Sequence, residues 1–202
     1  MERSPTRELV VLASGSPRRR KLLAEAGIPF QVVRPRCPET WGPNEPPEDL
    51  VVRLAREKAA EVAARLDPDV RRVVLASDTV VVLDGQVLGK PGDAQHALQL
   101  LRRLCGRTHR VLTGIAVLEH PAGSRHQRWV ESRVTLRSAG EEELGAYVAS
   151  GEPLDKAGAY ALQGAGRRFV QQVEGSESNV IGLPLRETLQ LLRQAGVEAD
   201  PR

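Results

Sequence analysis

The stretch 73–83, VVLASDTVVVL, constrains this chain more than any other. Its apolar, largely β-branched composition predicts a strand buried on both faces. Asp78 and Thr79 stand in its middle, and an ionised carboxylate there is expensive unless something compensates it. A bound metal ion would do so, as would a lysine such as Lys58 or Lys90, and the same pairing could simply tie two elements together. Asp84-Gly85 follows as a two-residue hairpin signal, with QVLGK returning as the partner.

Around this strand the pattern is mixed. Residues 8–14 read as a buried strand, 17–26 as a helix stopped by Gly27, and 30–34 as a second strand, a βαβ opening. A proline-rich loop over 35–47 precedes a long helix expected from Glu48 to Leu66. Further helices are expected at 93–104, 141–149 and 184–194, and strands at 109–119 and 128–137. Two short strands are expected at AYALQG and FVQQVEG. Early alternation followed by hairpins predicts an α/β (α+β mixed) sheet. The 202 residues predict one domain, 1–202, with frayed ends at about 1–7 and 197–202.

The cations are unevenly chosen, four lysines against twenty-five arginines. Where arginine serves as the general cation, a retained lysine points to a place needing a compact ammonium, as phosphate sites do. Lys58 falls four residues after Leu54 and four before Val62, on the apolar stripe of the long helix. That placement predicts a charge directed into a cleft, the alternative being a lysine that snorkels from the edge of the stripe.

A related puzzle lies in ASGSPRRRKLL, residues 13–23. Ser16 and Pro17 make a good helix start. Arg18, Arg19, Arg20 and Lys21 then crowd its first turn, where each cation should cost about 0.3–1 kcal/mol against the helix dipole. A bound polyanion would resolve the conflict.

Other chemistries are excluded or weak. GQVLGK is one residue short of a P-loop and is followed by Pro91, and GAGRRF at 164–169 reads as a turn rather than a dinucleotide loop. The four histidines lack metal-ligand spacing, so a metal would be held by carboxylates, which favours Mg²⁺ or Mn²⁺. Cys37 and Cys105 are isolated and predict reduced thiols. With 3% aromatics and a net charge of +3 spread along the chain, no nucleic-acid stripe is expected. No apolar run approaches a membrane span, and the N-terminus lacks a signal-peptide core, which predicts no membrane partner and a cytoplasmic location. The features converge on a nucleoside triphosphate.

Several ordered motifs together resemble the Maf family of nucleotide pyrophosphatases. They are ASGSPRRRKLL, RLAREKA at 53–59, ASDTVV running into DGQVLGKP, SGEPLDKAGAYALQG at 150–164, and VIGLPL at 180–185. The resemblance implies an inosine-triphosphatase-like fold with two lobes around a central cleft. It also implies hydrolysis of a triphosphate to the monophosphate and pyrophosphate with a divalent cation, in a homodimer. By position, Asp78 would be the catalytic carboxylate and, with Glu39, a metal ligand. Ser14, Arg18, Lys58, Lys90 and Lys156 would hold the triphosphate. Arg19, Thr79 and Gln163 resemble the branch that acts on dTTP and UTP, whereas the 7-methyl-GTP branch carries Trp before the motif arginine and Gln after the aspartate. Gln163 offers a donor and an acceptor to a pyrimidine edge. Glu177 and Leu136 depart from the family's usual tyrosine and phenylalanine. The alternatives that the resemblance implies are a nucleotide-responsive regulator of cell division in which hydrolysis is secondary, and a pyrophosphatase that prefers CTP or 7-methyl-GTP.

Overall fold

The computed structural model describes residues 10–42 and 44–198. The expected frayed N-terminus, the first two residues of the expected opening strand and residues 199–202 lie outside that range. Strand β1 (Val10–Leu12) pairs in parallel with β2 (Phe30–Val32) and with β3 (Arg72–Leu83), placing Val10 beside both Phe30 and Val73. Helix α1 (Pro17–Glu25) connects β1 to β2, and α2 (Pro47–Ala63) connects β2 to β3. The expected βαβ opening is therefore present.

The Asp84-Gly85 turn also forms as expected. Both residues have positive φ, 50° and 76°, as a tight primed hairpin turn requires, and β4 (Gln86–Leu88) folds back antiparallel on β3. Helix α3 (Ala94–Leu104) leads to the long strands β5 (Thr108–His120) and β6 (Arg125–Leu136), then α4 (Glu141–Ala149), three short 3₁₀ turns, β7 (Val170–Glu174), α5 (Glu177–Ile181) and α6 (Leu185–Gln194). Among the described residues the sheet runs β2-β1-β3-β5-β6-β7 with β4 attached to β3. Parallel and antiparallel pairs coexist, which makes it the mixed α/β sheet the sequence predicts.

The chain divides into two compact units. Among the described residues one comprises 10–42, 44–78, 114–129 and 182–198, the other 79–113 and 130–181. In the first, Ala55, Ala59, Val62 and Ala63 of α2 pack with Val11, Val74, Ala76, Ala116 and Leu118. The approach is very close at Gly114, where a Cβ would lie 2.1 Å from the Val51 carbonyl oxygen. In the second, Leu100, Leu101 and Leu104 of α3 join Val81, Leu136, Tyr147, Tyr160 and Phe169 in the core. Leu136, one of the two departures from the family pattern, is wholly buried there.

Four expectations need correction. Helix α2 stops at Ala63 instead of Leu66, because the chain tightens into i→i−3 bonds at Arg65 and Leu66 ahead of Asp67-Pro68. AYALQG forms no strand. Gly158, Ala159 and Gly164 take φ of 70°, 60° and 85°, which breaks an extended run. The short helix α5 is additional, in a segment expected to be irregular. Val197 is not frayed, being buried with its N–H donated to the Leu192 carbonyl at 2.9 Å. Among the described residues no helix is long and apolar enough to cross a membrane.

Candidate active site

The site is organised by a lysine in the wrong place for a leucine. Lys58 lies among Leu54, Ala55, Ala59 and Val62 on the buried face of α2, and only 5% of its side chain is exposed. Its ammonium donates to Asp78 Oδ1 on β3 and, at 2.5 Å, to Glu39 Oε1 from the loop before α2. The compensation that Asp78 requires is thus Lys58. Glu39 is 45% exposed, so the cluster has one buried carboxylate and one that opens to solvent.

The loop carrying Glu39 is itself held by α2. Arg53 donates through Nε and Nη2 to both Glu45 oxygens at 2.6 and 2.7 Å, to the Thr40 carbonyl at 2.9 Å, and through Nη1 to Glu57 at 2.9 Å. These carboxylates raise its pKa further above the ordinary arginine value. Sequence reasoning assigned no role to Arg53, although a charged residue flanking the Lys58 stripe was visible.

The helix start in ASGSPRRRKLL forms as predicted. Ser16 caps α1 by accepting from the Arg19 N–H at 3.4 Å, with Pro17 next. No acidic residue sits in the first turn, so the compensation comes from elsewhere. Arg19 turns back, and its Nε donates to the Gly182 carbonyl at 2.8 Å while Nη1 reaches Ser14 Oγ at 3.4 Å. Burial lowers its pKa; the charges of Asp78 and Glu39 oppose that shift, and Arg18 adds to it. The side chain therefore lies in the field of the same two carboxylates that Lys58 joins. Arg20 and Lys21 are exposed, Lys21 lying 3.9 Å from Glu25.

Ser14 is buried and its Oγ also accepts from the Ser16 N–H at 3.2 Å. Ser77, next to Asp78, donates to the same Gly182 carbonyl at 3.2 Å. Gly182 has φ of 120°, a conformation closed to side-chain-bearing residues, which explains a glycine in VIGLPL. The first unit thus gathers Ser14, Arg19, Glu39, Lys58 and Asp78, with Arg18 beside Arg19.

Thr79, Lys90, Lys156 and Gln163 belong to the second unit. Thr79 exchanges a hydrogen bond with Thr113 at 2.9 Å, and Thr113 is bonded to the Asn179 carbonyl at 3.1 Å. Lys90 is exposed after β4, and its segment is stitched to that of Lys156 by the Gly158 N–H donating to the Gly89 carbonyl at 3.1 Å. Lys156 Nζ donates to Asp155 at 2.5 Å and to the Glu152 carbonyl at 2.6 Å. Gln163 is half-buried. GQVLGK is not a P-loop, since it is the β4 hairpin arm and α3 begins after an Asp93 cap. Cys37 and Cys105 are free thiols whose pKa is raised by burial, the opposite of an activated nucleophile.

Among the described residues no group of three or more His, Cys, Asp or Glu side chains could cage a metal. Two carboxylates, Glu39 and Asp78, do meet at one ammonium. Mg²⁺ in nucleotide enzymes takes one or two protein carboxylates and completes its shell with water and substrate phosphates. The donor set therefore fits a hard ion that arrives with a nucleotide.

A family model described as Maf-like protein matches residues 9–195. The chain belongs to the Maf family. It is 51% identical over 189 residues to a protein of Anaeromyxobacter dehalogenans (strain 2CP-C) named dTTP/UTP pyrophosphatase, covering 93% of this chain and 94% of that one. A protein of the same name from Escherichia coli O157:H7 is 50% identical over 183 residues, 90% of each chain. Among solved structures, the Ham1 protein of Staphylococcus aureus superposes with a TM-score of 0.54 at 13% identity, covering 92% of this chain and 96% of that one. That likeness concerns the fold alone. In this Maf-family chain, RLAREKA and ASDTVV supply Lys58 and Asp78, ASGSPRRRKLL and VIGLPL supply Arg19 and the carbonyl it meets, and Glu39 comes from the loop before α2.

Proposed function

We propose that this Maf-family chain hydrolyses dTTP and UTP to the monophosphate and pyrophosphate. The observation that carries the reading is the buried Lys58 ammonium joining Asp78 and Glu39, with Arg19 in their field, in a chain half identical to proteins named dTTP/UTP pyrophosphatase.

The assigned reaction is attack of water on the α-phosphorus. Asp78 takes the proton as the new P–O bond forms, and the bond from the α-phosphorus to the bridging oxygen breaks to release pyrophosphate. Lys58 holds the Asp78 carboxylate in place and adds positive charge beside the reacting phosphate. Ser14 and Arg18 bind phosphate oxygens, and Arg19 contributes to the choice of base. Glu39 and Asp78 would hold Mg²⁺ or Mn²⁺, which when bound neutralises phosphate charge and acidifies water. Lys90 and Lys156 are assigned to phosphate, and Thr79 and Gln163 to the base. Glu177 begins α5 in the place of the family's tyrosine, and nothing in the structure explains the change. The reading includes a cytoplasmic location and a homodimer, the latter measured by light scattering on the purified protein.

A panel of ribo- and deoxyribonucleoside triphosphates with Mg²⁺ or Mn²⁺ tests the proposal, with products separated as pyrophosphate or orthophosphate. Pyrophosphate should be the first product and dTTP and UTP the best substrates. Orthophosphate released first refutes cleavage at the α-phosphorus, and a best substrate of CTP or 7-methyl-GTP refutes the base assignment.

A further inference from the structure

Glu152 carries no role in the reading above, yet its carboxylate accepts three hydrogen bonds, two of them from backbone N–H groups. It opens a 3₁₀ turn (Glu152–Asp155) shortly after α4. Its Oε1 accepts from the Tyr147 hydroxyl at 3.0 Å and from the Gly166 N–H at 3.0 Å, and its Oε2 accepts from the Ala165 N–H at 3.0 Å. The two N–H groups begin another 3₁₀ turn (Ala165–Phe169), where an anion satisfies donors that have no partner within the turn.

The backbone has come unusually close to make these bonds. A Cβ on Gly164, which has φ of 85°, would lie 2.7 Å from Glu152 Oε2, and one on Gly166 would lie 2.4 Å from the Tyr147 oxygen. This explains the two glycines of GAGRRF without any nucleotide loop: the chain wraps the Tyr147–Glu152 pair more tightly than side chains allow. Burial raises the Glu152 pKa, but the N–H groups of Gly166 and Ala165, the Tyr147 hydroxyl and the Lys156 charge outweigh it and hold the value below the usual carboxylate range. The ionised form is the one that accepts all three bonds.

Gln163 immediately precedes this clamped segment. We propose that the Glu152 carboxylate is a positioning residue for base recognition, fixing the loop that presents the Gln163 amide and so setting selectivity among pyrimidine triphosphates. The inference rests on the reading that Gln163 meets the base. The mechanism is geometric: an amide that must offer a donor and an acceptor to one base edge discriminates only when its backbone is held. The backbone carbonyl of Glu152 has a separate task, accepting from Lys156 Nζ, and a side-chain substitution leaves it in place.

Glu152→Gln is the informative change, because an amide of the same shape turns an acceptor oxygen into a donor facing a backbone N–H. Steady-state kinetics with dTTP, UTP and CTP should show KM for dTTP and UTP rising about tenfold, with kcat changing less and the preference over CTP narrowing. The inhibition constant of inorganic tripolyphosphate, which has no base, should stay within about twofold. In a Gln163→Ala background, Glu152→Gln should add nothing further to KM. A lowered Tm with unchanged KM and selectivity overturns the proposal, as does an undiminished effect when Gln163 is already alanine. If Glu152→Gln does not fold, Tyr147→Phe decides, since loss of the hydroxyl should give the same trend in smaller measure and an unchanged KM overturns the idea. A wild-type protein inert toward dTTP and UTP overturns the functional reading and this inference with it; an active wild type with an indifferent Glu152→Gln overturns only the inference.

Discussion

Lys58 on α2 donates to Asp78 on β3 with both side chains buried, and the same ammonium holds Glu39 from the preceding loop. One cation thus serves two carboxylates, so removing different members has unequal effects. Asp78→Asn leaves Lys58 paired with Glu39 and should cost about 1 kcal/mol. Lys58→Met leaves the buried Asp78 carboxylate without its hydrogen-bonded cation, with only the field of Arg19 in compensation, and should cost about 3 kcal/mol. Urea unfolding of the two variants measures the difference. Both should lose turnover, Asp78→Asn by about 10²–10⁴-fold. Equal stabilities would show that Glu39 does not share the ammonium in solution.

Because that ammonium already cross-links the two carboxylates, the fold of the nucleotide-free protein does not depend on a metal. Chelation with EDTA should abolish turnover and leave the Tm of the nucleotide-free protein unchanged. A falling Tm on chelation would point to a standing structural ion.

The cations that start α1 lack acidic neighbours in their own turn, and Arg19 depends on Asp78, Glu39 and the Gly182 carbonyl. A bound triphosphate should relieve this excess. In the Asp78→Asn protein, which leaves the nucleotide intact, dTTP or UTP at about 100 times Kd should stabilise the fold by about 2.7 kcal/mol. Arg19→Gln in that background should weaken binding about tenfold or more, read by calorimetry.

His109 gives the second unit a defined acid sensitivity. It is buried, bonded through Nε2 to the Tyr160 hydroxyl at 2.7 Å, and burial pushes its pKa down to about 4. An unfolded histidine titrates near 6.5, so the unfolded state binds the additional proton between these values. Stability is full above pH 6.5 and is lost as pH falls toward 4, by up to about 3 kcal/mol. Thermal melts of wild type and His109→Gln across that range should converge as the pH drops. Parallel curves would assign the acid loss to other groups.

Gly114 has no tolerance for a side chain, since its Cβ would meet the backbone of α2 rather than a movable side chain. Gly114→Ala should destabilise by about 3 kcal/mol or more, or prevent folding, as measured by circular dichroism.

Much of the site was legible because its signals are local violations of a period. A carboxylate in an apolar β run and a lysine on an apolar helical stripe each marked a position whose charge needed an answer. The cap at Ser16 and the turn at Asp84-Gly85 were equally local. The helix end expected at Leu66 and the strand expected in AYALQG differ from the structure because i→i−3 bonds and positive φ values are backbone choices that an apolar period does not register. Arg53, Ser77, Gly182 and Glu152 carry no such signal, because each meets a partner outside its own element, such as Glu45 for Arg53, Gly182 for Ser77 and the Ala165 and Gly166 N–H groups for Glu152, whose position no period encodes.

The amino-acid order by itself determined the mixed βαβ opening, the buried central strand, and the fact that Asp78 had to be compensated, since each follows from hydrophobic periodicity and the expense of burying a charge. It left metal, Lys58 and Lys90 as equal answers. Only the tertiary structure decided for Lys58, supplied Glu39 as the second acceptor, and turned Arg19 toward Gly182. Those choices depend on which atoms come within about 3 Å of one another once strands and helices pack, and residues 19 to 163 positions apart in sequence meet at that range only through the fold.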